Sequence, residues 1–373
     1  MRMAETRSLE VLVVGAGIAG ASAAHFLAPH AKVTVLERED QPGYHSTGRS
    51  AALYAAAYGN APVRAITRAS RPFFDSPPAG FASGPLLSPR GMLFFAREDQ
   101  QALLEDHVRE HEATGASLKR LPGAEVRRLV PALRESHSFA GLLDEASEDM
   151  DVNAIHRGFL RGIAVVRNAG LRRAERVAGR WRVETSAGPF EADMLVNAAG
   201  AWVDEVARAC GVAPIGIQPL RRTAIVFDCG RWNGAADWPM AIDATETLYF
   251  RPEAGRFLAS PADEAPSPPC DAQPDELDVA ALVDSLQAAT NFDVRRLTAR
   301  WAGLRSFVSD RTLVAGFDRR EPGFFWVAGQ GGNGIQTSPA MGMAAAALVL
   351  GRELPPVLRD NGVTASMLSP ERL

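Results

Sequence analysis

Residues 10–20 read Glu-Val-Leu-Val-Val-Gly-Ala-Gly-Ile-Ala-Gly, a β-branched apolar run that feeds directly into Gly15-x-Gly17-x-x-Gly20. Strong helix formers follow from Ala21 to Leu27, and Lys32 to Leu36 then reads as a second strand that ends on Glu37. Strand, glycine turn, helix, strand and acid, with the acid about 20 residues past the first glycine, make the complete dinucleotide-binding βαβ unit. The three glycines serve different ends. Gly15 permits the tight turn, Gly17 lets backbone approach a pyrophosphate, and Gly20 allows close packing of helix on strand. The helix N-terminus attracts the phosphates. Glu37 can accept hydrogen bonds from a ribose diol and would repel a 2′-phosphate.

The unit by itself does not separate one dinucleotide from another, so the rest of the chain has to decide. At 373 residues the chain exceeds what one core usually serves, which predicts two intimately joined domains. A 46% apolar and 23% charged composition is that of an ordinary globular protein, and a net charge of −4 argues against a nucleic-acid surface or a polybasic membrane contact. Cys210, Cys229 and Cys270 form no CxxC and join no Cys/His cluster, so neither a disulfide framework nor a metal site is expected. Met1 to Glu10 is polar, and glycines interrupt the apolar run behind it, so neither a signal peptide nor a membrane span is expected and the cytoplasm is the default location.

Downstream, two more apolar strands run into small-residue corners. Met194–Asn197 leads into Ala198-Ala-Gly-Ala-Trp202, and Gly323–Ala328 leads into Gly329-Gln-Gly-Gly-Asn-Gly334 and an apolar helix over Ser338–Leu350. The polar loop Gln41-Pro-Gly-Tyr-His-Ser-Thr-Gly-Arg-Ser50 suits wrapping a long cofactor. Three such corners imply one extended cofactor touched repeatedly by a discontinuous domain, which favours FAD over NAD.

The stretches QPGYHSTGRSAA (41–52), YGNAPVRA (58–65), LLSPR (86–90), LVNAAGAW (195–202), QPLRR (218–222), WAGLRSFV (301–308) and QGGNGIQTS (330–338) carry a family resemblance. The sequence resembles the D-amino-acid oxidase superfamily of FAD oxidoreductases, and within it most closely the bacterial D-arginine dehydrogenases. The resemblance implies an α/β FAD-binding domain of the Rossmann-like βαβ kind, joined to an α+β substrate domain on a mixed or antiparallel sheet. It implies non-covalent FAD and oxidation of a D-amino acid to an imino acid that water hydrolyses.

Carried over by position, the resemblance assigns the cofactor to Gly15, Gly17, Ala19, Gly20, Glu37, Arg38, Ser46, Thr47, Gly48, Arg49, Ser50, Ala51, Ala52, Leu53, Leu171, Gly200, Gly331, Gly332, Asn333, Gly334, Ile335 and Gln336. It assigns the substrate to Tyr58, Met240, Arg222, Tyr249, Arg305 and Gln336, with Arg222, Arg305, Tyr58 and Tyr249 as the catalytic set. Chemistry supports the arginines, because guanidinium grips a carboxylate in a bidentate fork. In a strand Arg221 would point away from Arg222, so only one of them should face the site.

No strong general base emerges, since tyrosine and arginine both hold their protons at neutral pH. The substrate amine is therefore expected to arrive neutral. The D-arginine enzymes place an acid after Ser-Pro-Arg-Pro, where this chain has Gly91-Met92-Leu93-Phe94, and a His where it has Leu53. Both departures predict an apolar or small substrate side chain. The short segment Leu160–Val166 casts doubt on the adenine contact at Leu171. Glycine, sarcosine or a 2-hydroxy acid such as 2-hydroxyglutarate stays open as substrate, and the electron acceptor, oxygen or a quinone, stays undetermined.

The cofactor domain is expected to collect 1–75, 151–211 and 298–373, and the substrate domain 76–150 and 212–297. Asp151 or Asn153 should cap a helix, and Pro261 to Pro274 should be a surface loop.

Overall fold

The computed structural model describes residues 8–112, 118–228, 230–232 and 235–373. Cys229 and the first seven residues lie outside the described residues.

A six-stranded sheet runs in the spatial order Val314–Phe317, Phe324–Ala328, Met194–Asn197, Glu10–Val14, Lys32–Leu36, Ala164–Val166. All its pairings are parallel except the one between Val314–Phe317 and Phe324–Ala328. The strands Glu10–Val14 and Phe324–Ala328 are covered on both faces, and this is why they read as apolar runs, whereas the edge strand Ala164–Val166 is partly exposed. Val11 and Val13 face a core shared with the Ile18–Leu27 and Ser338–Val349 helices, while Leu12 and Val14 face a second core around Trp181 and Val183. That second core lies under a three-stranded antiparallel meander formed by Leu171–Val177, Arg180–Thr185 and Gly188–Ala192. The helix Val152–Leu160 is capped by Asp151, whose Oδ1 accepts from the Ala154 N–H at 2.8 Å.

The glycine corner follows from sterics. Gly15 has φ +100°, which disfavours a side chain, and a Cβ on Gly20 would stand 1.9 Å from the Gly15 carbonyl oxygen. Only glycines let the helix and strand approach this closely.

The second sheet has nine strands and is mixed. Met240–Asp243 pairs parallel with Met92–Ala96, and the remaining pairings are antiparallel. Alternation divides its strands cleanly. Leu93, Phe95, Ile225, Phe227 and Phe250 enter a core closed by the Glu276–Ala289 helix, while Met92, Phe94, Met240, Ile242 and Tyr249 turn to the opposite face. Leu297–Phe307 pairs along its whole length with Gln218–Phe227, so it belongs to this sheet by hydrogen bonding although the third expected cofactor segment begins at 298. The Pro261–Pro274 loop is held at several points, among them Asp263, which accepts from Thr223 and Arg222. Ala265–Pro266 pairs with Leu220 and Arg221, and Arg49 reaches Asp271 and the Ala272 carbonyl.

Candidate active site

Two cavities are lined by neighbouring stretches of chain: Gly331 lines one and Gly332 the other, as do Ser46–Thr47 and Ser50–Leu53. The first, about 580 Å³, begins at the glycine corner and is walled by Gly15, Gly17, Ala19, Glu37, Arg38, Ser46, Thr47, Leu171, Gly200 and Gly331. The second, about 600 Å³, continues from Ser50, Ala51, Ala52, Leu53, Gly332, Asn333 and Gln336 to Tyr58, Met240, Tyr249, Arg222 and Arg305. All six residues assigned to substrate from the sequence line this one cavity.

Several residues assigned to the cofactor stand behind the walls instead. Gly20, Gly48, Arg49, Gly334 and Ile335 line neither cavity. The side chain of Arg49 is taken up by other protein groups. Its Nη1 donates to Ala302 O at 2.8 Å and Ala272 O at 3.0 Å, its Nη2 pairs with Asp271, and its guanidinium lies 5.0 Å over the Tyr44 ring. It ties its loop to the Leu297–Phe307 strand and to the Asp271–Ala272 stretch. Arg49→Ala is expected to lose about 2 kcal/mol of stability while leaving the visible spectrum of the bound flavin unchanged, read by thermal unfolding of the coloured protein.

The nucleotide end fits FAD. Glu37 is buried, with Oε2 accepting from the Ala16 N–H at 2.9 Å and Oε1 from the Glu39 N–H at 2.9 Å. Each oxygen keeps a second lone pair for a hydroxyl donor. The Gly17 N–H has no partner among the described residues, whereas the neighbouring Ile18 N–H donates to Thr47 Oγ1 at 3.0 Å. A glycine corner, a bare N–H and an acid beside one cavity suit a pyrophosphate and a ribose. Leu171 does line this cavity, although the segment before it is short. Arg38 lies 4.8 Å over the Trp202 ring at its edge. Neither Cys210 nor Cys270 lines either cavity.

At the other end, the strand register sets the charges. Leu220 pairs with Arg305 and Arg222 with Gly303, so Arg222 and Arg305 are diagonal neighbours on one sheet face. Arg221 turns to the opposite face, where its Nη2 meets Asp278 at 2.5 Å. Arg222 donates through Nε to the Asp263 carbonyl at 2.8 Å and lies 3.5 Å from Glu264. Burial, and then repulsion from Arg305, push the Arg222 pKa down. The Arg305 guanidinium has no hydrogen bond or ion pair among the described residues, and a Cβ on Gly332 would lie 3.0 Å from its Nη1. Two cations held side by side in a cavity call for an anion between them.

Tyr249 is buried, and its hydroxyl has no partner among the described residues. Tyr58 packs deep in the wall yet keeps 37% exposure through the open cavity, and its hydroxyl donates to Glu246 Oε2 at 3.0 Å. Burial, reinforced by the Glu246 charge, raises its pKa to about 12. Gln336 is engaged at both ends of its amide: its Oε1 accepts from Ala55 N–H and its Nε2 donates to Asn333 Oδ1, each at 3.0 Å. It shapes the wall more than it offers a free group.

Sequence reasoning missed Arg64, His107, Glu246, Glu264 and Arg311, which also line the second cavity. Glu264 is bound by Arg311 at 2.7 and 3.1 Å, and Arg311 lies 3.8 Å over the Phe307 ring. That bond to Arg311 holds the Glu264 carboxyl below its usual range. His107 stacks on Phe94 with ring centroids 4.6 Å apart.

The family model described as FAD dependent oxidoreductase, DAO, matches residues 10–348. The chain belongs to this family. Among curated DAO-like relatives, it is 28% identical over 184 residues to FAD-dependent oxidoreductase domain-containing protein 1 of Xenopus laevis, a match covering 43% of this chain and 35% of that one. It is 25% identical to glycine oxidase of Pseudomonas aeruginosa over 93% of this chain and 96% of the relative. Its fold is that of glycine oxidase from Geobacillus kaustophilus, with a TM-score of 0.79 at 20% identity, covering 93% and 96% of the two chains. The DAO assignment makes the protein an FAD-dependent oxidoreductase, a distinction that the glycine corner and its acid do not make by themselves. No helix among the described residues is long and apolar enough to cross a membrane.

Proposed function

We propose that this protein oxidatively deaminates a D-amino acid with an apolar or small side chain. The observation that carries the reading is the partnerless Arg305 guanidinium beside the half-buried Arg222, whose pKa is pushed down, in a cavity that also holds two tyrosine hydroxyls. A substrate carboxylate would neutralise both cations in a bidentate grip. Bound FAD would supply the chemistry, accepting a hydride from the substrate α-carbon and leaving an imino acid for water to hydrolyse.

The protein's own part is to bind, orient and exclude water. Arg222 and Arg305 fix the carboxylate, and Tyr249 and Tyr58 offer hydroxyls to its flank. With its pKa near 12, Tyr58 stays protonated at neutral pH and is a poor base. The amine must therefore shed its proton before the reaction. Turnover is expected to rise with pH through the pKa of the substrate amine. Tyr58→Phe should lower kcat/KM about tenfold and leave that limb where it is; a limb that disappears in the variant would make Tyr58 the base.

The side-chain wall supports an apolar preference, with Leu53, Met92, Phe94, Met240 and Ile242 along it. Glu246 and Glu264 add carboxylates there, but Tyr58 and Arg311 already hold them. The likeness to glycine oxidase favours a second reading, glycine or sarcosine in the same grip. A dye-coupled assay over D- and L-amino acids, glycine, sarcosine and 2-hydroxyglutarate tests both. Higher kcat/KM for apolar D-isomers than for their L-forms and glycine is the expected result. Preference for glycine or a 2-hydroxy acid would overturn it.

A further inference from the structure

His156 takes no part in the chemistry above, yet it is buried against the glycine corner at 7% exposure. It lies on the Val152–Leu160 helix, and its Nε2 meets the Ala16 carbonyl oxygen at 2.7 Å. A carbonyl can only accept, so Nε2 carries the proton and Nδ1 is bare. Burial pulls the His156 pKa down, which keeps the ring neutral and in that tautomer. The ring also backs the next loop: a Cβ on Gly43, at φ +79°, would stand 2.9 Å from its Cε1. That loop leads to Thr47, whose Oγ1 accepts from the Ile18 N–H.

Ala16 is thus gripped on both sides by side chains distant in sequence. Its N–H donates to Glu37 Oε2, and its carbonyl accepts from His156. The Ala16–Gly17 peptide is planar and trans, so its carbonyl and its N–H point to opposite sides. Drawing the Ala16 carbonyl back onto His156 turns the Gly17 N–H outward. Gly17 lines the nucleotide cavity, and its N–H is one of the donors at this corner that have no partner among the described residues.

We propose that His156 is a positioning residue for the FAD pyrophosphate: it clamps the Ala16–Gly17 peptide so that the Gly17 N–H faces the anion. The inference rests on FAD binding and not on the identity of the substrate. Without the clamp the peptide can rock, and the donor is no longer pre-aimed.

Holoenzyme diluted stepwise, with released FAD read by its fluorescence, gives the dissociation constant for wild type, His156→Phe and His156→Gln. Phenylalanine keeps a ring and loses the donor, while glutamine keeps an N–H. The expected result is about tenfold weaker FAD binding in H156F, the effect of one neutral buried hydrogen bond, and recovery to within about threefold of wild type in H156Q. Unchanged FAD affinity in folded H156F would overturn the proposal, as would equal losses in both variants. Should H156F fail to fold, H156Q decides: near-native affinity supports the clamp, and a tenfold loss refutes it. Nitrogen-15 spectra of the holoenzyme add an independent reading, with an Nε2-protonated neutral ring expected for His156 and an Nδ1-protonated ring contradicting it.

Discussion

Arg305→Leu is expected to lower kcat/KM for the best D-amino acid about a thousandfold while leaving the thermal midpoint of the holoenzyme unchanged or slightly raised. The two halves of this expectation come from one fact. Arg305 has no acid of its own among the described residues, and its charge depresses the pKa of Arg222 beside it. Removing it from the free enzyme relieves repulsion and strands no carboxylate. Removing it from the complex leaves a substrate carboxylate half-held in a desolvated site, a loss of roughly 2–5 kcal/mol, or about 30- to 5,000-fold in rate. Lysine at 305 should recover only part of it, because a point charge does not reproduce the guanidinium fork. Arg222→Leu should behave differently. Arg222 also donates to the Asp263 carbonyl and faces Glu264, so its loss should cost stability as well as activity. A fall in stability for Arg305→Leu as large as that for Arg222→Leu would mean that Arg305 serves the fold and not the substrate.

Gly20→Ala should abolish FAD binding. A methyl there would sit 1.9 Å from the Gly15 carbonyl oxygen, on backbone that has no rotamer to yield. Relief requires the Ile18–Leu27 helix to move off the Glu10–Val14 strand, which would carry the helix N-terminus and the Gly17 N–H away from the pyrophosphate. The expected outcome is protein that purifies colourless, with FAD affinity lowered at least a hundredfold and a stability loss of about 3 kcal/mol. Yellow Gly20→Ala protein with native affinity would show that the nucleotide does not use this corner.

The nucleotide half of the molecule was legible because its information is local. A strand, three glycines, a helix and an acid follow one another within residues 10–37, and the fold reproduces them in that order. The opposed directions of Arg221 and Arg222 were legible for a similar reason, since alternation along a strand needs no knowledge of its partners. The diagonal pairing of Arg222 with Arg305 was not. It depends on the register of two strands some 80 residues apart, which no local pattern encodes.

Loop side chains were the weakest point. Arg49 sits in a small, polar, cofactor-like stretch, and nothing in that stretch reveals that its guanidinium turns back onto Ala272 and Ala302. Glu246 and Arg311 reach the cavity from residues with φ of +55° and +56°, a backbone shape that side-chain types do not announce. The acid missing after Ser88-Pro-Arg90 therefore did not empty the cavity of carboxylates; Glu246 and Glu264 enter it from other turns.

In the proposed reading, Arg222 and Arg305 would hold a substrate carboxylate in the cavity they line while bound FAD oxidises the substrate. Anaerobic titration of the purified yellow protein with D-amino acids, followed at the oxidised flavin absorbance band, tests this most directly. The band is expected to bleach stoichiometrically with an apolar D-amino acid in wild type, and to need about a thousandfold more substrate in Arg305→Leu. A colourless protein that takes up no added FAD, or a flavin that no amino acid reduces, would contradict it.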